Sequence, residues 1–476
     1  MSSDSFNNSF VRGPLGAVFA KTALPIIFVM SMNGLLTVVD AIFLGVYVGA
    51  DALGAVTLMF PLYMLIVALA TLVASGMSSI IARHLGAQHY EEARGVFAGA
   101  HGLALAVSAG FILLFLLLGD QVTLLAANGS ASLAEMGHTY LAITVIASPV
   151  LFLLSINSDA LRNEGRAGFM AAMSLLVSLV NIGFNYVLIV VFDLGVAGSA
   201  YGTVAAQLLA LSIIFIFRLR GRTELRPNAF VQHRLTAHWR RILALGAPQS
   251  LNFLGMALGS TAILTALQMV AGSNYETTIS AYGIISRVMT FTFLPLLGIS
   301  QAMQSITGNN YGAGLWQRSN DSLRLAIMIS FVYCLVSEII LVNLAGPIGR
   351  LFVDNTAVAG EVARIMPVMA TMFFAAGPLI IIATYFQAIG DAGRAAVLGL
   401  AKPYLFALPL IFLLALTMGE KGIWMASPVA ELLLLGLTTL ILAGNARQQA
   451  FRWGLFRPEG EKSEVPANAS SGSKGL

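Results

Sequence analysis

The chain has 476 residues, of which 58% are hydrophobic and only 10% charged, with a formal net charge of +4; soluble domains carry about 25% charged residues. That balance, with a mean hydropathy of +0.84, excludes a soluble globular protein and identifies an all-α polytopic membrane protein. The basic residues sit in short segments between apolar runs, so the charge does not signal nucleic-acid binding, and a single cysteine, Cys334, excludes an intramolecular disulfide.

The polar start, MSSDSFNNSFVRG, reads as a tail and not as a cleaved signal, because the first apolar run is of spanning length and no small-residue cleavage site follows it. In chain order, apolar runs predict twelve spans: 22–46, 53–82, 95–118, 137–160, 168–192, 196–218, 240–271, 279–306, 322–346, 362–388, 394–417 and 422–444. Twelve spans put both termini on one side. On that side fall 22 of the 26 Lys and Arg residues; Arg287, Arg350, Arg364 and Lys421 are the exceptions. The positive-inside rule makes that side cytoplasmic, in a plasma or inner membrane. The expected organisation is a tail over 1–21, an N-lobe over 22–218, a basic linker over 219–239, a C-lobe over 240–444 and a polar tail over 445–476. The linker is also compatible with a surface helix near anionic lipid.

The two halves resemble each other at a nearly constant offset. Leu24-Pro25 matches Ala247-Pro248, Leu85-Gly86-Ala87 matches Tyr311-Gly312-Ala313, Glu164-Gly165-Arg166 matches Ile389-Gly390-Asp391, and Asp193-Leu194-Gly195-Val196 matches Glu420-Lys421-Gly422-Ile423. Each repeat holds six helices, so the halves share one topology and surround a central cavity. The repeat is chemically asymmetric: where the first span carries Asp40, its counterpart carries Ile263.

Asp40 dominates the candidate site. A charged Asp near the centre of a spanning helix costs about 2.5–3.5 kcal/mol on insertion scales, so it is paired, hydrated in a cavity or protonated. A structural hydrogen bond to a neighbouring helix is the plainer reading. Asn33, Thr37 and Asp40 are spaced by four and three and share a helix face. Tyr140 and Asn157 in the fourth span, Asn181 and Asn185 in the fifth, and Thr203 and Gln207 in the sixth add amides and hydroxyls. Singly, each is helix–helix glue; as a set around a carboxylate they can hold a proton, or oxygens of Asp40, Asn181, Asn185 and Thr203 can hold Na⁺. Met256, Met289, Phe291 and Phe293 suit a pliable substrate pocket, and Gln207, Gln268, Gln301, Gln304 and Gln387 are candidates for its polar lining. Pro25 and Gly34 are the expected hinge of the first span. Glu338 and Glu431 are further intramembrane acids without an assigned role, and Arg287 either snorkels or pairs with one of them. Asp159 is placed to pair with Arg162, and His101 reads as a packed residue.

No phosphate loop, Cys/His metal cluster or nucleophile motif appears, so neither an enzyme nor ATP drive is expected, and no cofactor beyond a coupling H⁺ or Na⁺. A membrane enzyme would need a His, Asp or Cys cluster at one face, and a channel would need a selectivity element. A flippase for lipid-linked substrates would need basic residues in the cavity, where only Arg287 qualifies.

Several segments together resemble a known family. The Leu85-Gly86-Ala87 loop, Arg162-Asn163-Glu164-Gly165-Arg166, Asn181-Ile182-Gly183-Phe184-Asn185, Gly195-Val196-Ala197-Gly198-Ser199-Ala200 and the twelve spans resemble the multidrug and toxic compound extrusion (MATE) transporters over about residues 20–445. Val39-Asp40-Ala41-Ile42-Phe43-Leu44-Gly45 most resembles the DinF-like branch. The resemblance implies export of cationic or amphipathic compounds against inward H⁺ or Na⁺, and the expected state is a monomer. By position it makes Asp40 the coupling acid, with Asn33, Tyr140, Asn157, Asn181 and Thr203 around it. This chain departs from the pattern at Asn185, where many DinF-like proteins carry a second acid, and at Met256 and Gly377, near the acids of the NorM-like branch. A scheme with one carboxylate is what remains.

Overall fold

The computed structural model describes residues 8–127, 129–221, 223–270, 275–449 and 451–457. Their apolar runs form twelve spans. Ten are continuous helices: span 1, Leu15–Val48; span 2, Ala50–Gly86; span 3, Tyr90–Ala126; span 5, Ala167–Val191; span 6, Gly195–Leu219; span 7, Trp239–Met269; span 8, Tyr275–Gly312; span 9, Trp316–Asn343; span 11, Ala392–Met418; and span 12, Glu420–Gln448. The other two are broken. Span 4 is Ala131–Ile146 followed by Ser148–Asn163, bent by 49°, and span 10 is Thr356–Ala370 followed by Phe373–Ile389, bent by 45°. Spans 2, 3 and 8, at 37, 37 and 38 residues, are about 55 Å long at 1.5 Å per residue. They overshoot a hydrocarbon layer of about 30 Å.

The sequence repeat is a structural repeat. Helices begin at 15 and 239, 50 and 275, 90 and 316, 131 and 356, 167 and 392, and 195 and 420, each pair 224 to 226 residues apart. Both breaks fall at equivalent places. In span 4 the second segment starts at Ser148 with a proline in its first turn, which lacks the N–H that the ladder needs. In span 10 Met372 adopts φ 72°, and Glu338 on span 9 accepts from the backbone N–H groups of Met372 at 3.3 Å and Phe374 at 2.8 Å. That intramembrane acid is therefore a helix cap, satisfying donors that lipid cannot.

The lobes meet at the end that carries the termini. Burial of apolar surface gives little drive between helices in lipid, so close approach relies on small residues and hydrogen bonds. Gly76 of span 2 lies against the backbone of Ile242 and Gly246 in span 7, and Gly246 lies against Leu72. The matched loop motifs meet each other: Gly86 packs on the backbone of Asn309, and Gly312 on the backbone of Arg83. A Cβ at any of these four glycines would overlap backbone atoms.

The terminal segments are less free than their composition suggests. Helix 1 begins at Leu15, inside the expected tail, and Phe10 ahead of it is buried. Asn8 donates to Asn309 Oδ1 at 2.9 Å. Helix 12 continues to Gln449, and residues 451–457 fold back so that Leu455 O accepts from the Tyr385 hydroxyl and Gly454 O from Asn445. Residues 1–7 and 458–476 of the expected tails lie outside the described residues. The linker is docked and not a loose tether: Leu225 and Ala229 are buried, and Trp239 Nε1 donates to Gly99 O at 2.9 Å.

Glu338→Ala strands two N–H groups at the span 10 break, and each unmet donor costs about 1–3 kcal/mol. Thermal unfolding in detergent is expected to shift well below wild type, with Glu338→Gln between the two. An unshifted midpoint for Glu338→Ala would contradict the capping role.

Candidate functional site

Asp40 sits near the end of the regular part of span 1, just before a five-residue π turn over Leu44–Val48. Its Oδ1 accepts from Asn185 Nδ2 at 2.6 Å. Asn185 Nδ2 also donates to Asn181 Oδ1 at 3.1 Å, Asn181 Nδ2 to Thr203 Oγ1 at 2.9 Å, and Thr203 Oγ1 to Ser199 O at 3.2 Å. This relay joins spans 1, 5 and 6. Helical geometry builds it: Asn181 and Asn185 are one turn apart on one face, and a second π segment, Tyr186–Val191, starts directly after Asn185. Such insertions gather at functional positions because they free carbonyls and re-aim side chains.

Asn181 and Asn185 are fully buried, whereas Asp40 is half-buried. Gly202 on span 6 leaves room for the Asn185 amide, since a Cβ there would collide with Asn185 Oδ1. That oxygen is buried and has no hydrogen-bond partner in the structure. Tyr63 of span 2 and Tyr140 of span 4 lie close enough to interact with the Asp40 charge. Among the described residues no three His, Cys, Asp or Glu side chains form a metal-binding group.

Of the residues expected around Asp40, the structure joins Asn185, Asn181 and Thr203 by hydrogen bonds and places Tyr140 nearby. Asn33 and Thr37 are exposed, and Thr37 Oγ1 donates only to Asn33 O, at 3.1 Å. Gln207 is half-exposed one turn beyond Thr203. On the C-lobe, Met256 is 41% and Phe291 46% exposed, while Met289 packs partly into the lobe core.

Asn157 does not belong to this site. It lies near the terminal end, where Nδ2 faces His101 Nε2 at 3.1 Å and Oδ1 accepts from Arg218 Nε at 2.9 Å. Buried Arg218 also pairs with Glu164 at 3.0 Å and donates to Leu225 O at 2.7 Å, so this cluster anchors the linker. His101 is a packed residue between Phe97 and Phe230, with Nδ1 on Phe97 O at 2.8 Å.

Gln301 is half-buried and is held by the other lobe. It accepts from Arg162 at 2.6 Å, and Arg162 also donates to Ser305 at 3.1 Å and Ser78 at 3.0 Å while pairing with Asp159 at 2.8 Å. Gln304 donates to Ser79 at 2.9 Å, and Gln387 to Ser75 at 2.8 Å and to Leu245 O at 2.7 Å. Arg83 donates to Ala388 O at 2.6 Å. These bonds form a buried polar seam between the lobes. Its N-lobe side was visible in the run Ala74-Ser75-Gly76-Met77-Ser78-Ser79, small and hydroxylic at helical spacing; its partners were not.

Gly34 is a close-approach residue. Its Cβ position lies 3.0 Å from Leu294 Cδ1 and 3.2 Å from Phe291 Cε1 of span 8. Helix 1 runs unbroken through both Pro25 and Gly34. Toward the opposite end, Val38, Ile42 and Phe60 on the N-lobe and Met256 and Leu264 on the C-lobe are exposed. The contacts between the lobes run from Gly86 with Asn309 at the terminal end to Gly34 with Phe291, and Asp40 lies beyond them toward the other end. In the C-lobe, Glu431 pairs with Lys402, which lies in a third π segment, Ala401–Ala407.

The MatE family profile matches residues 25–187 and 253–413. An FAD transporter of Shewanella oneidensis is 25% identical over 444 residues, covering 92% of this chain and 96% of that protein. A multidrug export protein, MepA of Staphylococcus aureus, is 23% identical over 425 residues, covering 89% and 92%. The solved outward-facing conformation of a multidrug resistance MATE family transporter of the MOP superfamily matches with a TM-score of 0.83 at 22% identity, covering 94% of this chain and 99% of that one.

Asn157→Leu is expected to loosen the linker, seen as faster proteolysis within 219–239, while leaving any Asp40-dependent activity in place. An intact linker with Asp40-dependent activity lost would return Asn157 to the carboxylate site.

Proposed function

The chain belongs to the MatE family and is a multi-pass membrane transporter of small molecules; on that premise we propose that it exports organic compounds in exchange for protons, with Asp40 as the coupling acid. The observation that carries this reading is a half-buried intramembrane carboxylate just beyond the last contacts between the lobes, hydrogen-bonded to a relay of three neutral side chains. The excess of Lys and Arg on the side of the termini makes that side cytoplasmic. The cleft then opens outward and the polar seam closes the cytoplasmic end.

In this scheme external acid protonates Asp40. Neutral Asp40 becomes a donor, whereas the Asn185 amide now offers it a donor, Nδ2. Turning that amide presents the unpartnered Oδ1 instead, in space that Gly202 leaves open. The turn gives up the Asn185 bond to Asn181 and loosens spans 1, 5 and 6 from one another. Cargo held near charged Asp40 loses its counter-charge and leaves. The cleft closes, the seam opens, the proton passes to the cytoplasm and charged Asp40 is reset. A ligand shifts such an equilibrium only by its differential affinity for the two states, and the Asp40 charge supplies that difference for a cation and for H⁺ in opposite directions.

Na⁺ coupling is the second reading. It is favoured by the oxygen set of Asp40, Asn181, Asn185 and Thr203, in which Asn185 Oδ1 has no donor. The relatives do not decide the cargo, since one is named for FAD and the other for multidrug export.

In proteoliposomes, ethidium efflux driven by a pH gradient is expected to fall to the protein-free rate in Asp40→Asn. Wild-type efflux in that variant would rule out the coupling role. A Na⁺ gradient at fixed pH is expected to drive no efflux; if it does, the Na⁺ reading replaces the proton one.

A further inference from the structure

Arg287 is a charged side chain that the scheme above leaves unused. It lies on span 8, 12 residues in from Tyr275. It is exposed and has no hydrogen-bond or ion-pair partner among the described residues. Several other cations set into spans are paired: Lys402 with Glu431, Arg162 with Asp159 and the seam, Arg364 with Glu361 and Glu420. Neither Glu338 nor Glu431 is available to Arg287, because the first caps span 10 and the second holds Lys402.

The direction of Arg287 follows from the helix. Ser305, Gln301, Gly298, Leu294, Phe291 and Arg287 follow one another at three- and four-residue steps, so they form one stripe. The first two touch Arg162 of the N-lobe, Gly298 meets Ile27, and Leu294 and Phe291 meet Gly34. Arg287 thus extends the N-lobe-facing stripe of span 8. On the reverse side, Ala281 and Ile285 are fully buried in the C-lobe core. The antiparallel register of Ile27 on Gly298 and Gly34 on Phe291 puts Arg287 level with Val38, two residues from Asp40. Val38 and Phe291 are 43% and 46% exposed, at the outer limit of the contact that Gly34 makes with span 8. A guanidinium at this depth, facing the other lobe and lacking a counter-ion, is tolerated only beside water or an anion.

We propose that Arg287 is an anion-binding position on the C-lobe wall of the cleft, and that the cargo includes compounds bearing a carboxylate or phosphate. The planar guanidinium suits both groups bidentately. The cleft then has two poles at one depth, Asp40 on the N-lobe and Arg287 on the C-lobe. It accepts zwitterions and organic anions besides cations, and the anion-binding pole at Arg287 does not depend on the proton bound at Asp40. This rests on the transporter reading for the word cargo, but the site itself does not.

The test uses the full chain in phosphatidylcholine nanodiscs and two fluorescent probes that differ by one phosphate, riboflavin and flavin mononucleotide. Wild type is expected to bind the phosphorylated probe about tenfold more tightly, as for one charge-assisted contact. Arg287→Gln is expected to erase the difference with riboflavin affinity unchanged, and Arg287→Lys to keep part of it. Adding phosphatidylglycerol separates the sources of the anion. Competition with flavin mononucleotide in wild type but not in Arg287→Gln marks a lipid headgroup as an occupant of the same site; no competition marks a site for soluble anions. Equal affinities in wild type, no binding of the phosphorylated probe, or a preference that survives Arg287→Gln overturns the proposal. Ethidium efflux on the same preparations reads the coupling scheme separately: efflux that persists without a phosphate preference removes the anion site alone. A preference that persists without efflux removes the coupling scheme alone.

Discussion

The 2.6 Å hydrogen bond from Asn185 to Asp40 is what lets an acid occupy span 1. A carboxylate in hydrocarbon must be solvated by something, and here the solvent is a column of side chains that reaches back through Asn181 and Thr203 to the backbone of span 6. Every member of the column has a constraint of its own. Gly202 has no side chain because the Asn185 amide occupies that space, and both helices that supply the carboxylate and its donor switch to π geometry within a few residues of them. A column of this kind is cooperative: changing the proton on its first member changes the donor–acceptor sense of the next.

The same economy of polar groups shapes the contact between the lobes. Helices in lipid gain little by burying apolar surface against each other, so the closed end uses glycine-to-backbone contacts and a seam of Ser, Gln and Arg. Such a contact suits a transporter, because its hydrogen bonds can be exchanged for water when the end opens. The lobes are built alike, down to equivalent breaks in spans 4 and 10, but they are chemically unlike. The N-lobe carries a carboxylate that takes part in a relay. The C-lobe spends its two intramembrane acids on structure, one capping a broken helix and one neutralising Lys402.

Much of this was legible in the sequence, for identifiable reasons. Hydropathy located all twelve spans because lipid permits only helices whose backbone is internally satisfied. The shared offset of four short motifs revealed the repeat, and one of those pairs proves to be the contact between the lobes themselves, Gly86 with Asn309 and Gly312 with Arg83. Spacing by four identified Asn181 and Asn185 as partners of Asp40. The same logic did not foresee the partners of Asn157 and Gln301, because helical spacing states which face a residue occupies and not at what depth a partner from another helix meets it. Both are claimed by arginines, Arg218 and Arg162, whose reach is not a local property. Gly34 was read as a hinge because glycine is flexible; the structure adds that it is small where Leu294 and Phe291 of span 8 approach it. Docking of the linker and of residues 451–457 depends on a few anchors, Leu225, Ala229 and Trp239 in the first and Leu455 and Arg457 in the second, inside polar stretches that composition alone marks as loose.

The claim on which the scheme depends is that organic cation and proton compete for the charge of one side chain. Protons released on binding of tetraphenylphosphonium to the solubilised protein in weakly buffered solution, followed over a series of pH values, measure that competition without a membrane. Release that appears in wild type and vanishes in Asp40→Asn is the expected result. Release of the same size in Asp40→Asn would show that the exchange takes place at another group.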